Sequence, residues 1–129
     1  MKTKLYLSLL FLVLAYPLSA QTSGPQIEFD TTVIDYGTVE NSSDGKRIFA
    51  FINNGDQDLI IKKVASSCGC TIPKKPEAPV APGERGEIVV EYDTKNRKGP
   101  FRKTITVTTN VNENPIVALK IKGEVLPKS

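Results

Sequence analysis

Histidine and tryptophan are absent from the 129 residues of this sequence, and cysteine occurs only twice. Without histidine, no imidazole is present to act as the base of a serine or cysteine nucleophile. Histidine-ligated metal sites are excluded for the same reason, and two thiols alone cannot complete a closed zinc site of nitrogen and sulfur donors. Much common hydrolase chemistry is therefore outside this chain, and we expect a protein that is not an enzyme.

Residues 1–20 have the pattern of a cleavable signal peptide. Lys2 and Lys4 give a positive start, an apolar run follows from Leu5 to Ala15, and Leu18-Ser19-Ala20 resembles a signal peptidase site. The apolar run is shorter than the about 20 residues that a membrane-spanning helix needs. We therefore predict cleavage after Ala20, a secreted or periplasmic mature protein, and no membrane span once the leader is removed.

The mature chain carries almost no net charge. The whole sequence has 17 basic and 14 acidic side chains. Removal of Lys2 and Lys4 with the leader leaves 15 basic against 14 acidic side chains. No basic excess favours binding to nucleic acid, so we expect no nucleic-acid partner.

Short strands separated by turn residues fill the rest of the sequence, without a helical period. The last two strands alternate clearly, with Ile105 and Val107 on one face and then Leu119 and Ile121 on one face. About seven strands at this spacing are typical of an immunoglobulin-like β-sandwich. We predict an all-β fold with one domain, residues 21–129, and a core from 27 to 125.

Two segments make sharper predictions about the sheets. The strand from Arg47 to Ile52 has Ile48, Ala50 and Ile52 on one face and Phe49 and Phe51 on the other. A strand that is apolar on both faces is predicted to be central and covered on both sides. The proline-rich stretch 66–86 cannot be a central strand, because proline lacks the amide donor, and we expect it to cross from one sheet to the other.

Cys68 and Cys70 flank a single glycine, and the residues alone leave four roles open for them. They could be bridged to each other, if a bend at Gly69 brings their Cα atoms within disulfide range. As a pair of thiolates they could bind copper(I), the soft metal that accepts such ligands. Each could instead pair with a cysteine of another molecule, or both could serve as small buried apolar groups.

The residues also resemble a bacterial exported family that is catalogued as domain of unknown function 1573. The resemblance covers about Ile27 to Val125, and its motifs in order are Ser67-Cys68-Gly69-Cys70-Thr71, Ala81-Pro82-Gly83, Tyr92-Asp93-Thr94 and Gly99-Pro100-Phe101. It implies an immunoglobulin-like sandwich in a secreted or periplasmic protein. It implies no reaction, and the only residues it carries over are Cys68 and Cys70, which match the cysteine pair of the family.

Two functional hypotheses follow from these observations. The first is a non-enzymatic sandwich module that needs no cofactor and acts by contact with another protein, for which sheet edges are natural sites. The second is a small protein that binds copper(I) or exchanges thiols through Cys68 and Cys70. A protein of the second kind needs cysteines that are free or readily reduced at a reachable position.

Overall fold

The computed structural model describes residues 23–128, and these residues form eight strands in two four-stranded sheets. The first sheet has the order β1-β3-β6-β5 and the second has the order β2-β8-β7-β4. The strands are β1 (Glu28–Phe29), β2 (Val33–Val39), β3 (Lys46–Ile52), β4 (Ile61–Ser66), β5 (Thr71–Lys74), β6 (Arg85–Tyr92), β7 (Gly99–Thr109) and β8 (Ile116–Val125). The fold is an immunoglobulin-like β-sandwich, as the sequence predicts. The predicted signal peptide lies outside the described residues.

The core forms between the inner faces of the two sheets. Each strand places alternate residues on that face, and the fully buried ones are large apolar side chains from both sheets, among them Phe49, Phe51, Ile88, Val90, Ile105, Val107, Leu119 and Ile121. The alternation predicted for the last two strands, β7 and β8, is confirmed. Stripes of apolar side chains on two sheets therefore meet in one layer, which is the arrangement that defines a sandwich.

The first described strand, β1, belongs to the first sheet, and the next strand, β2, belongs to the second. Phe29 pairs with Phe51 of β3, whereas Ile34 pairs with Ile121 of β8. The pairing of β2 with β8 is parallel, and all other strand pairs are antiparallel. The chain therefore changes sheets between residues 29 and 33.

The proline-rich stretch crosses between the sheets, as predicted, and it also contributes a strand. The chain leaves β4 at the edge of the second sheet and enters β5 at the edge of the first. Pro73 lies within β5, where it is opposite Val90 of β6. A proline fits there because an edge strand needs ladder hydrogen bonds on one side only. This short strand is the one by which the eight observed strands exceed the about seven expected.

Candidate functional site

Cys68 and Cys70 lie in the crossing between β4 and β5, and a disulfide bond joins them. Their Cα atoms are 5.3 Å apart, which is within the usual range for a disulfide. The bend that this requires does not use the special freedom of glycine, because Gly69 does not have a positive φ. A Cβ atom at Gly69 would also meet no atom within 4 Å. Neither backbone strain nor crowding therefore explains why residue 69 is glycine.

The loop is tied to the second sheet by a reciprocal pair of hydrogen bonds. The Ser67 amide donates to the Thr104 carbonyl at 3.0 Å, and the Thr104 amide donates to Ser67 Oγ at 3.2 Å. The preceding hydroxyl, Ser66 Oγ, accepts from the Cys68 amide at 3.3 Å. Both serines before the first cysteine therefore serve the loop backbone.

The other end of the loop is tied to the first sheet. The Asp93 amide donates to the Cys70 carbonyl at 2.9 Å, and Thr71 pairs with Tyr92 of β6. Within the loop, the Thr71 amide donates to the Cys68 carbonyl at 3.4 Å. The disulfide thus lies in a short span of chain whose two ends are held by opposite sheets.

The two cysteines have different surroundings. Cys70 is only 3% exposed, whereas Cys68 is half-buried against the edge of the core, and Gly69 between them is exposed. The Cys70 amide nitrogen lies 3.2 Å from Cys68 Sγ, to which it donates. The Thr71 hydroxyl is 3.8 Å from Cys70 Sγ. Each sulfur therefore has its own donor.

The same geometry bears on the metal hypothesis. Within residues 23–128, no three histidine, cysteine, aspartate or glutamate side chains lie close enough together to hold a metal ion. A disulfide presents no thiolate, so copper(I) could bind Cys68 and Cys70 only after the bond is reduced. Copper(I) binding stays a prediction.

The outer face of the first sheet carries apolar side chains, and here one prediction is wrong. Strand β3 is central, between β1 and β6, but it is not covered on both faces, because Ile48 is 49% exposed. The described chain supplies only two layers, and both sheets turn their inner faces to the same core. The sequence pattern identified the apolar face but could not show whether anything lies on it.

Ile48 belongs to a diagonal row of apolar side chains on this face. It pairs with Val89 of β6, and Ile72 of the neighbouring β5 lies one row away, opposite Glu91. Ile72 is 66% exposed. Diagonal neighbours in a sheet are about 7–8 Å apart, within reach of branched side chains. We call Ile48, Val89 and Ile72 the outer apolar row.

The four sheet edges, by contrast, are interrupted or short. Strand β1 has two residues, β5 contains Pro73, and β4 combines an irregular register with the exposed Lys62 and Lys63. These are known means of preventing a sheet from pairing with another chain.

The edge strand β2 lacks lysine and proline, and side chains in it and just before it bond to its backbone groups instead. Thr31 Oγ1 donates to the Val33 carbonyl at 2.8 Å and lies 3.3 Å from the Val33 amide, from which it accepts. The Asp35 carboxylate accepts from the Gly37 amide at 2.8 Å. Side-chain bonds of this kind compete with strand pairing. The sheet edges are therefore poorer contact surfaces than the outer apolar row.

The sequence matches the family described as "Protein of unknown function (DUF1573)" over residues 27–125. The chain belongs to this family. The match covers the region of the resemblance found in the sequence, so the predicted family is confirmed. No curated protein matches the sequence.

Solved structures support the fold. A protein of unknown function from Porphyromonas gingivalis W83 is similar with a TM-score of 0.69 at 16% identity, over 85% of this chain and 51% of that one. The chain thus spans about half of that protein. The ASH/PapD-like domain 7 of human CEP192 gives 0.64 at 10% identity, over 81% of this chain and 87% of that one. The E. coli chaperone DraB gives 0.51 at 16% identity, over 80% and 56%.

The described residues contain no helix that is long and apolar enough to cross a membrane. The family match assigns no reaction, cofactor or partner to the chain. What the outer apolar row and the cysteine pair do is therefore argued from their own geometry.

Proposed function

We propose that this protein is an exported, non-enzymatic module that binds another protein through the outer apolar row of its first sheet. The observation that carries the proposal is the exposure of Ile48 in the middle of a central strand. Soluble domains rarely leave grouped apolar side chains uncovered on a sheet unless a partner covers them. The rest of the domain is typical of a soluble sandwich, with alternation that buries one face of each strand.

The surroundings of the row fit a protein partner. Lys46 and Glu91 lie side by side at one end of it, and Lys74 pairs with Val89. An apolar centre with a charged rim is the usual composition of a protein contact surface. DraB is a chaperone, and chaperones act by contact with other proteins; its likeness in fold is consistent with this use of a sandwich.

We also propose that the protein is exported and that it binds its partner without catalysing a reaction. The leader pattern of residues 1–20 supports export, and the lack of histidine supports a role in binding rather than in catalysis. The intact mass of the protein recovered outside the cytoplasm tests the first point. A mass that corresponds to a chain beginning at Gln21 is expected, and a mass that retains Met1 to Ala20 would contradict it.

Site-specific crosslinking tests the contact. A photoreactive amino acid replaces Ile48 in one variant and Ile116 in the control, because Ile116 is 61% exposed but lies in β8 of the other sheet. We expect a discrete protein adduct from position 48 in cells that make the protein, and none of that mass from position 116. The absence of such an adduct, or equal adducts from both positions, would contradict the proposal.

The partner identified by crosslinking must then bind this protein when both are purified. We expect Ile48→Glu to weaken its binding at least about tenfold, because a carboxylate would be desolvated at the centre of the interface. Ile116→Glu is the matched control and should leave the affinity unchanged. Equal affinities for the two variants would show that the adduct reflected proximity rather than binding through this face.

A further inference from the structure

We propose that Cys68–Cys70 is a redox-active disulfide that exchanges with dithiols, with Cys68 as the sulfur that is attacked and Cys70 as the leaving group. This inference does not rest on the contact function, because it concerns the crossing loop and a different chemistry. Three observations carry it: the unequal burial of the two cysteines, the donor beside each sulfur, and the open space over Gly69.

Access decides which sulfur reacts. An attacking thiolate must reach the sulfur directly, so burial protects Cys70, which is 3% exposed. Cys68 is half-buried, and the exposed Gly69 beside it has no side chain to cover the bond. A Cβ at position 69 would meet nothing within 4 Å, so alanine would also fit there. The glycine therefore serves to leave the disulfide open rather than to shape the loop.

The hydrogen-bond donor beside Cys70 identifies that residue as the leaving group. The Thr71 hydroxyl is buried, and in the oxidised protein it must be the donor of its contact with Cys70 Sγ, because a disulfide sulfur carries no proton. That hydrogen bond stabilises negative charge on Cys70 as the bond to Cys68 breaks. Cys70 would otherwise be a poor leaving group, since burial disfavours a thiolate.

The reduced protein would use the same two roles in reverse. The Cys70 amide, which donates to Cys68 Sγ at 3.2 Å, is placed to stabilise a Cys68 thiolate. A hydrogen bond to the charged form lowers the pKa of a thiol. Cys68 would then be the nucleophile, and Cys70 would resolve the mixed disulfide.

The exchange balances with a dithiol as the co-reactant. One thiolate of the dithiol attacks Cys68 Sγ, a mixed disulfide forms there, and the electron pair of the broken bond leaves on Cys70 Sγ, which takes up a proton. The second thiol of the dithiol then attacks the first dithiol sulfur, which is bonded to Cys68 in the mixed disulfide. Cys68 leaves as a thiolate. The dithiol is oxidised to a disulfide, and the cysteine pair is reduced by the same two electrons.

Single-cysteine variants of the mature protein test the assignment. Cys70→Ser leaves Cys68 as the only thiol, and Cys68→Ser leaves Cys70. With oxidised glutathione at pH 7, we expect the Cys70→Ser protein to form the mixed disulfide at least about tenfold faster, as measured by intact mass. Equal rates, or a faster reaction of the Cys68→Ser protein, would overturn the proposal.

The unmodified protein supplies a test that does not depend on the folding of a variant. It is treated with reduced glutathione, quenched in acid, and fragmented in the mass spectrometer to locate the adduct. We expect glutathione on Cys68. An adduct on Cys70, or a disulfide that excess dithiothreitol leaves intact in the folded protein, would overturn the proposal.

We assign Thr71 as a positioning residue for the leaving group. Substitutions at Thr71 distinguish that role from a purely structural one. We expect Thr71→Val to slow the attack of glutathione on the disulfide about fivefold, the equivalent of one hydrogen bond. The same substitution in the Cys70→Ser background should leave the reactivity of Cys68 unchanged, and Thr71→Ser should restore the rate in the protein with both cysteines. An unchanged rate in Thr71→Val would overturn the assignment.

Discussion

Phe51 and Gly86 face each other across β3 and β6, and the phenylalanine ring lies where a side chain on residue 86 would have to be. A Cβ atom at Gly86 would lie 2.5 Å from Phe51 Cζ. Phe51 is fully buried in the core, so its ring cannot move aside freely. The glycine thus makes room for one of the two phenylalanine rings of the neighbouring strand.

Gly86→Ala is therefore expected to destabilise the fold. Overpacking of a filled core costs about 1–3 kcal/mol, and that loss should appear in the free energy of unfolding measured with urea. Gly69→Ala is the matched control, because a Cβ there meets no atom within 4 Å and the backbone has no positive φ. A Gly86→Ala protein as stable as the Gly69→Ala protein would show that the Phe51 ring moves aside at no cost.

Asn53 is a second point at which one buried side chain holds several backbone segments. Its Nδ2 donates to the Gln57 carbonyl at 2.7 Å and to the Val80 carbonyl at 2.9 Å. Its Oδ1 accepts from the Gly55 amide at 2.9 Å and from the Gln26 amide at 3.3 Å.

Asn53→Asp should consequently cost about 3 kcal/mol at neutral pH. A carboxylate has no hydrogen to give to the two carbonyls, and its charge would be fully buried. Asn54→Asp is the control one residue away, where the side chain is exposed and donates only to Glu28 at 2.9 Å. Thermal unfolding of the two variants should differ clearly, and similar midpoints would contradict the role given to Asn53.

The pH dependence of stability above pH 10 should depend on Tyr36. Its hydroxyl donates to the Gly45 carbonyl at 2.7 Å, and burial of the ring raises the pKa of Tyr36 from 10.0 to about 12, against a lowering by the nearby Arg47. A raised folded-state pKa gives a stability contribution that is complete below pH 10 and is lost as pH rises toward 12, because the unfolded chain releases its proton first.

The Tyr36→Phe variant measures this contribution. At pH 8 it should be less stable than the unmodified protein by about 1 kcal/mol, the worth of one hydrogen bond. At pH 11 the difference should shrink or reverse, because only the unmodified protein loses about 1 kcal/mol to ionisation in the unfolded state. A difference that stays constant between the two pH values would show that Tyr36 keeps an ordinary pKa in the fold.

Reduction of Cys68–Cys70 should have only a small effect on stability. The ring that the disulfide closes spans three residues, so it restricts the unfolded chain little, and about 2 kcal/mol or less is expected. Urea unfolding with and without dithiothreitol measures the effect. The Cys68→Ser/Cys70→Ser variant is the control and should not respond to the reductant. A loss of cooperative unfolding on reduction would show instead that the bond holds the fold together.

The sequence predicted which strand faces are buried in the core better than it predicted which outer faces are exposed. Alternation identified the buried faces of β7 and β8 because that signal is local to each strand. It failed for Ile48, because the same pattern describes a strand that the chain covers and one that a partner covers. The prolines of the stretch 66–86 correctly excluded a central strand, but they could not show that the residues around Pro73 form the edge strand β5.

The details of the candidate site could not be predicted from local pattern at all. The link between Ser67 and Thr104 and the link between Cys70 and Asp93 join residues that are far apart in sequence. Only the fold brings them together, and the same is true of the bonds that join Asn53 to Gln26 and to Val80. The position of Cys68 and Cys70 could be read from the sequence, but their unequal burial required the structure.

The parallel pairing of β2 with β8 also sets the order in which the domain can be assembled. Val33 pairs with Lys120 and Val39 pairs with Val125, so β2 has no partner until β8 has been made. Contacts between such distant segments form late and slowly. A chain of this topology therefore leaves the ribosome with β2 unpaired, and its second sheet stays incomplete until β8 has followed.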